Sequence, residues 1–166
     1  LPPDQALLEY FVGDSSIFIF LVKKDDYRAF EVKKDFPLED WVKQLRHGIY
    51  GYHTADPNRK TDDLRDSCAN EYIESATALY QKLLAPVDSL LPRRVVIVPD
   101  GALGYIPFEA LLTDRPKRAN RFHEYPYFGG QTGKEHSISY CYSATLLREM
   151  TTRQHRQTPG KSFLAY

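Results

Sequence analysis

Three apolar runs open the chain, separated by polar residues that favour turns. Residues 7–12, 17–22 and 27–32 predict β-strands, because they are rich in β-branched and aromatic side chains. The turn residues at 13–16 and 23–26 leave connections short enough for an antiparallel meander. The run at 17–22 has no polar interruption, which predicts a central strand covered on both faces.

Apolar residues then recur at helical spacing in two stretches. Pro37 suits the first position of a helix, and the apolar stripe at 38–49 predicts its extent, with a surface loop at 51–60. Thr61 is placed to cap a second helix, which keeps helical period as far as Leu83. Pro86, three residues later, predicts either a kink followed by a further helical segment at 87–91 or the end of this helix.

The second half of the chain alternates strands with helices. Residues 95–98 form a wholly apolar run reached through a long helix, which is typical of a buried parallel strand. Residues 107–112 predict a short helix opened by its proline, and an irregular segment follows at 113–135. A strand at 137–142 then leads to a helix capped by Ser143. This alternation predicts an α/β layer architecture.

We expect the 166 residues to form a single partial domain. Residues 1–150 hold its folded part, 151–161 a polar linker and 162–166 the start of a further strand. Because the chain stops inside an apolar run, we expect a piece of a longer protein. The interrupted sheet would leave an exposed edge, through which the chain could associate with itself.

Composition narrows the classes of function. Lysine plus arginine (22) equals aspartate plus glutamate (22), whereas a duplex-binding domain carries a basic excess. No apolar stretch reaches the ~20 residues that span a bilayer, so we expect no membrane partner. The two cysteines form no Cys-x-x-Cys pair and suit reduced thiols, which favours the cytoplasm.

Neither cysteine is placed for nucleophilic catalysis. Cys141 lies in a predicted strand five residues after His136, and an odd separation in a strand puts two side chains on opposite faces. Cys68 falls on the apolar stripe of the second helix, where a thiol behaves as a small hydrophobic group. We therefore predict no catalytic cysteine.

The histidines show no spacing that is typical of metal ligands. They are His47, His53, His123, His136 and His155. His47 is expected near a helix C-terminus, where a positive charge is favoured. We predict solvated or capping roles for all of them, with no metal site and no cofactor.

The glycine-containing segment GALG at 101–104 does not match a phosphate-binding loop. It lacks the lysine and the glycine spacing that let main-chain amides surround a phosphate. The alternative is a turn at Asp100 and Gly101, which ends the buried strand before it.

Basic and aromatic residues follow one another in the irregular segment, a composition that single-stranded nucleic acid binding requires. They are Arg115, Lys117, Arg118, Arg121, Phe122, Tyr125, Tyr127 and Phe128. In a chain of zero net charge, the favoured interpretation is a solvated loop whose aromatic residues anchor it to the core. Nucleic acid is the less favoured partner.

Four segments in order carry a resemblance to a known family. They are LEYFVGD at 8–14, LYQKLLAP at 79–86, VIVPDGAL through IPFEAL at 96–111, and ISY with SATLL at 138–147. Together they resemble the N-terminal half of CHAT domains, the caspase-like domains often found behind tetratricopeptide repeats. The resemblance implies a caspase-like mixed sheet with an N-terminal antiparallel meander and flanking helices, here truncated.

The family's catalytic residues have no counterpart in this sequence. In CHAT peptidases a histidine before glycine assists proton transfer while a cysteine attacks the peptide carbonyl. Both motifs normally follow the segments present here. His47 also precedes a glycine, but it lies in the first predicted helix, outside the position of the family's motif. No catalytic residue is carried over.

The resemblance therefore implies a non-catalytic scaffold or regulatory half of a caspase-like cysteine peptidase. Its expected partners are the rest of the CHAT domain and the tetratricopeptide repeats of the parent chain. One alternative is a protein-interaction module of a signalling protein that has no peptidase activity. A third hypothesis is single-stranded nucleic acid binding through the segment at 115–128.

Overall fold

The computed structural model describes residues 1–117, 122–130 and 136–152. In the described part of the chain, five strands form one sheet. The strands are β1 (Gln5–Val12), β2 (Ser16–Val22), β3 (Tyr27–Lys33), β4 (Arg94–Val98) and β5 (Ser137–Tyr140). The α-helices are α1 (Leu38–Thr54), α2 (Asp62–Leu83) and α3 (Ala144–Thr152).

The sheet is mixed, with strand order β3-β2-β1-β4-β5. β2 pairs antiparallel with both β1 and β3, which confirms the predicted meander. β4 lies between β1 and β5 and runs parallel to both, which confirms the predicted buried parallel strand. The architecture is α/β, in agreement with the caspase-like mixed sheet that the resemblance implies.

The main core lies on the face of the sheet that α1 and α2 cover. Alternate residues of each strand point into it, among them Leu8 of β1 and Ile19 of β2. Leu45 of α1 and Leu79 of α2 meet them, and all four side chains have no exposed surface. Burial of each such side chain contributes about 1.5–3 kcal/mol, so this layer supplies most of the hydrophobic stabilisation.

The opposite face is covered only in part. Val96 and Val98 of β4 form a small second cluster with Leu147 of α3. Phe18 and Phe20 of β2 also reach this face, but both are only half-buried. The prediction that residues 17–22 are covered on both faces is therefore wrong for this face, because α3 is short and lies over β4 and the start of β1.

α1 is longer than predicted. It continues through residues 51–54, where a surface loop was expected, and a 3₁₀ turn at Pro57–Arg59 follows. α1 and α2 approach closely, since a Cβ placed on Gly48 would lie 2.6 Å from the main-chain nitrogen of Tyr72. Packing against α2 thus extends the helix beyond the end of its apolar stripe.

α2 begins as the sequence predicts. The side-chain oxygen of Thr61 accepts a hydrogen bond from the main-chain nitrogen of Leu64 at 3.1 Å, which satisfies one of the free donors of the first turn. The helix ends at Leu83, three residues before the proline. In the described ranges, none of the helices combines the length and apolar character that crossing a bilayer requires.

A tight turn ends β4, as predicted. Gly101 has φ 54°, a conformation that side chains with a Cβ rarely adopt. Its neighbour Asp100 accepts a hydrogen bond from the main-chain nitrogen of Val12 at 2.8 Å, which joins the ends of two parallel strands. The short helix expected at 107–112 is a single 3₁₀ turn, Phe108–Ala110.

That 3₁₀ turn is tied to both α2 and β5. The main-chain nitrogen of Phe108 donates to the hydroxyl of Tyr140 at 2.8 Å, and this hydroxyl donates to the carboxylate of Glu109. The hydroxyl of Tyr72 on α2 donates to the carbonyl of Ala110. Burial raises the pKa of both tyrosines, so both keep the proton that they donate.

The same turn also holds the described part of the irregular segment. Phe128 donates its main-chain N–H to the carbonyl of Leu111 at 2.8 Å, and Gly129 donates to the carbonyl of Glu109 at 3.0 Å. Tyr125 and Phe128 are 1% and 2% exposed. Residues 118–121 and 131–135 of this segment lie outside the described residues.

The C-terminal boundaries differ from the prediction. β5 ends at Tyr140 instead of 142, and the predicted cap of α3 is confirmed, because the Ser143 hydroxyl accepts from the Leu146 nitrogen at 3.1 Å. α3 continues to Thr152, so the linker expected at 151–161 begins inside a helix. The remainder of that linker and the strand expected at 162–166 lie outside the described residues and stay predictions.

Replacing Tyr140 by phenylalanine tests the role of this turn. The change removes two hydrogen bonds and leaves the Phe108 N–H without its acceptor, so we expect Tyr140→Phe to lower the free energy of unfolding by about 1–3 kcal/mol. Tyr142 is 95% exposed, and Tyr142→Phe is the matched control that should change nothing. Urea unfolding followed by circular dichroism measures both; equal stabilities would contradict the role of the turn.

Candidate functional site

The two thiols lie on different elements, and within the described residues neither has an imidazole partner. Cys68 is 2% exposed on α2. Cys141 is half-buried after β5, where its thiol donates to the carbonyl of Ser143 at 3.4 Å. No hydrogen bond joins either sulfur to a histidine ring within the described residues. A cysteine nucleophile needs such a base, so neither thiol has the geometry of a dyad.

Cys68 lies in the wall of a cavity of about 510 Å³. α1 contributes Ile49 and Tyr52 to the lining, and α2 contributes Cys68 and Tyr72. His53 lines the same cavity, but no hydrogen bond joins its ring to the sulfur. Burial, and then the nearby carboxylate of Glu71, raise the pKa of the Cys68 thiol. The thiol therefore stays protonated near neutral pH and is a poor nucleophile.

His136 is buried on the side of the sheet opposite Cys141, as the odd spacing predicts. Its ring stacks on Phe128 at 4.8 Å, whereas Cys141 packs against the second cluster. Nδ1 of His136 lies 2.9 Å from the carbonyl oxygen of Pro92 and must donate to it. Nε2 lies 3.5 Å from Oδ1 of Asp88. These contacts fasten the start of β5 to the turn after α2.

The surroundings of His136 form a short polar chain inside the core. The hydroxyl of Tyr80 donates to Oδ2 of Asp88 at 2.8 Å, which leaves Oδ1 facing the imidazole. Neither this oxygen nor Nε2 of His136 has a hydrogen-bond partner in the described structure. The prediction of a solvated or capping role is therefore wrong for His136, whose ring is buried. Sequence spacing gave no signal for this pair.

The remaining histidines are on the surface or outside the described residues. The prediction that His47 lies near a helix C-terminus is wrong, because α1 continues to Thr54. Its Nδ1 instead lies 2.7 Å from the carboxylate of Glu71 on α2. His53 and His123 are exposed, and His155 lies outside the described residues. No group of three or more potential metal ligands occurs in the described part of the chain.

The turn at 101–104 has no feature of a phosphate site. Its one residue with positive φ is Gly101, and the carboxylate of Asp100 stands beside it. A carboxylate at this place would repel a phosphate. The interpretation of this segment as a strand-ending turn is confirmed.

The aromatic residues of the irregular segment mostly face the protein interior. Tyr125 and Phe128 are buried, so their rings cannot stack on nucleic acid bases. Arg115 lies 3.6 Å from the carboxylate of Glu74. Arg118 and Arg121 lie outside the described residues. The contacts support the interpretation that aromatic side chains anchor this loop to the core.

Comparison with known proteins agrees with this description of the chain. A family model described as CHAT domain matches residues 74–165, more than half of the 166 residues. The matched region begins within α2 and includes β4, the 3₁₀ turn and β5. No curated protein and no solved structure matches the chain.

Alkylation of the two thiols tests the environment of Cys68. Because its pKa is raised, we expect iodoacetamide to modify Cys68 at least tenfold more slowly at pH 7 than a free cysteine, with a rate that still increases above pH 9. Variants Cys141→Ala and Cys68→Ala leave one thiol each and allow mass spectrometry to report each rate. Rapid labelling of Cys68 at pH 7 would contradict the buried, protonated thiol.

Proposed function

The chain belongs to the CHAT domain family, and we propose that it is a non-catalytic scaffold half of a caspase-like cysteine peptidase. In this proposal the histidine and cysteine of the dyad lie outside these 166 residues. The observation that carries the proposal is that residues of the family signature make structural contacts. Within IPFEAL, Phe108 is fully buried, and Glu109 and Ala110 accept hydrogen bonds from Tyr140 and Tyr72.

The two carboxylates of the signature at 96–111, Asp100 and Glu109, are already engaged in holding the fold. The carboxylate of Asp100 caps the end of β1, and that of Glu109 is bound by the Tyr140 hydroxyl. A general base must be free to reach the proton it abstracts, whereas these carboxylates connect strands and turns. Stability of the sheet is the role that these contacts support.

The partners in this proposal are other parts of the parent protein, in the cytoplasm. The rest of the CHAT domain would pack against the sheet, and tetratricopeptide repeats would contact the scaffold from outside. The incompletely covered face of β1–β3 supports contact with a further element, since apolar residues there remain accessible.

A protein-interaction module without peptidase activity is the second candidate. The same accessible apolar face favours it, because an adaptor needs a binding surface and no dyad. The gene region that encodes the residues after Tyr166 discriminates the two functions. A His-Gly motif followed by a cysteine motif supports the peptidase scaffold, and loss of both supports the adaptor.

Activity assays on the purified chain test the scaffold proposal. We expect no hydrolysis of a fluorogenic peptide library and no stoichiometric reaction with a peptidyl chloromethyl ketone, because no described histidine is bonded to either thiol. The double variant Cys68→Ala, Cys141→Ala is the background control. Turnover that disappears when one cysteine is replaced would refute the absence of a dyad.

A further inference from the structure

The less covered face of the sheet carries an aromatic surface. We call Phe11, Phe18, Phe20 and Tyr27 the aromatic face. Phe11 and Tyr27 are 55% and 62% exposed. The rings pair across strands, Phe11 with Phe18 and Phe20 with Tyr27, each at 6.4 Å between centroids. Four aromatic side chains thus form a continuous accessible patch on β1, β2 and β3, of the kind that marks interaction sites.

A carboxylate without a partner stands inside this patch. Glu9 of β1 shares the face with Phe11, and its cross-strand neighbours are Phe20 on β2 and Val98 on β4. It is half-buried. Among the described residues it has no hydrogen bond and no ion pair. Glu9 lies between Phe20 and Val98 on neighbouring strands and is available to pair with a cation that a partner brings.

The width of the patch fits one helix. The axes of β1 and β3 lie two strand spacings apart, about 10 Å, which is close to the diameter of an α-helix. α3 already begins a helical layer on this face, against Val96 and Val98. A second helix beside α3 would continue that layer over β1–β3, whose antiparallel strands otherwise leave this face to water.

We propose that the aromatic face binds an amphipathic α-helix of a partner, with an apolar stripe and one lysine or arginine directed at Glu9. The aromatic side chains supply the contact area, and the carboxylate fixes the register and orientation of the helix. The inference deepens the proposed scaffold function and rests on it. It adds that the element bound by the scaffold is an amphipathic helix.

The probe is a pair of synthetic helical peptides. Each has about 18 residues and a leucine stripe. This length gives a helix of about 27 Å, enough to lie along the full length of the strands. One peptide carries a central lysine beside the stripe, and the other carries glutamate there. Fluorescence anisotropy with the full 166-residue chain measures the dissociation constants.

We expect the lysine peptide to bind at least tenfold more tightly than the glutamate peptide. In the variant Glu9→Lys this preference should reverse. The double variant Phe11→Ser, Tyr27→Ser should weaken both peptides at least tenfold. The matched controls are Glu39→Lys on α1 and Tyr105→Ser, which is 63% exposed; each makes the same change away from this face and should alter neither affinity.

Three outcomes would overturn the inference. The first is equal affinity for both peptides, or a preference that Glu9→Lys leaves unchanged. The second is a concentration-dependent dimer in sedimentation that Phe11→Ser, Tyr27→Ser abolishes, since a second copy would then cover the face. The third is a thiol at Phe11→Cys that does not react with maleimide in the Cys68→Ala, Cys141→Ala background, since the chain itself would then cover it.

These results are independent of those that test the scaffold function. Peptide hydrolysis and chloromethyl ketone labelling report on Cys68 and Cys141, neither of which belongs to the aromatic face. Failure of helix binding with no hydrolysis leaves the scaffold proposal standing. Hydrolysis by the chain refutes the scaffold proposal whatever the peptides do.

Discussion

The hydrogen bonds around the 3₁₀ turn Phe108–Ala110 connect elements that are distant in sequence. Tyr72 reaches this turn from α2, and Tyr140 reaches it from β5. The main-chain N–H of Gly129 donates to the carbonyl of Glu109, and that of Phe128 donates to Leu111, directly after the turn. A 3₁₀ turn of three residues leaves most of its polar main-chain groups without internal partners. Because these groups are next to the core, the tyrosines and the Phe128 segment must satisfy them, and this requirement fixes where β5 lies.

This arrangement shows what the family signature does in the described structure, which is to hold elements of the sheet together. Residues that could act as acids or bases, such as Glu109 and Asp100, accept hydrogen bonds that keep the sheet closed. The thiols are separated by the sheet and the α1–α2 layer, and the imidazole of His136 is held by Pro92 and Asp88. A catalytic site needs its nucleophile, base and oxyanion donors to face one open position. Among the described residues, these groups contact the core and the sheet instead.

The two faces of the sheet differ in a way that matters for partners. α1 and α2 bury the inner residues of β1 and β2 completely, whereas α3 covers only the region around β4. On the face opposite α1 and α2, the aromatic side chains of β1–β3 therefore remain accessible, and Glu9 lies beside them. The sheet therefore has one face packed against helices and one face with accessible apolar side chains.

Sequence alone determined the strands of the meander, the buried β4, the cap at Thr61 and the turn at Gly101, because each depends on residues that are neighbours in the chain. It also placed Cys141 and His136 on opposite faces, since strand geometry has a fixed period of two. It could not give the end of α1, the bare face of β2, or the contacts of His47, Tyr72 and Tyr140. The contacts of these three residues join positions 24 to 38 residues apart in the chain, and only the packed structure decides which elements meet.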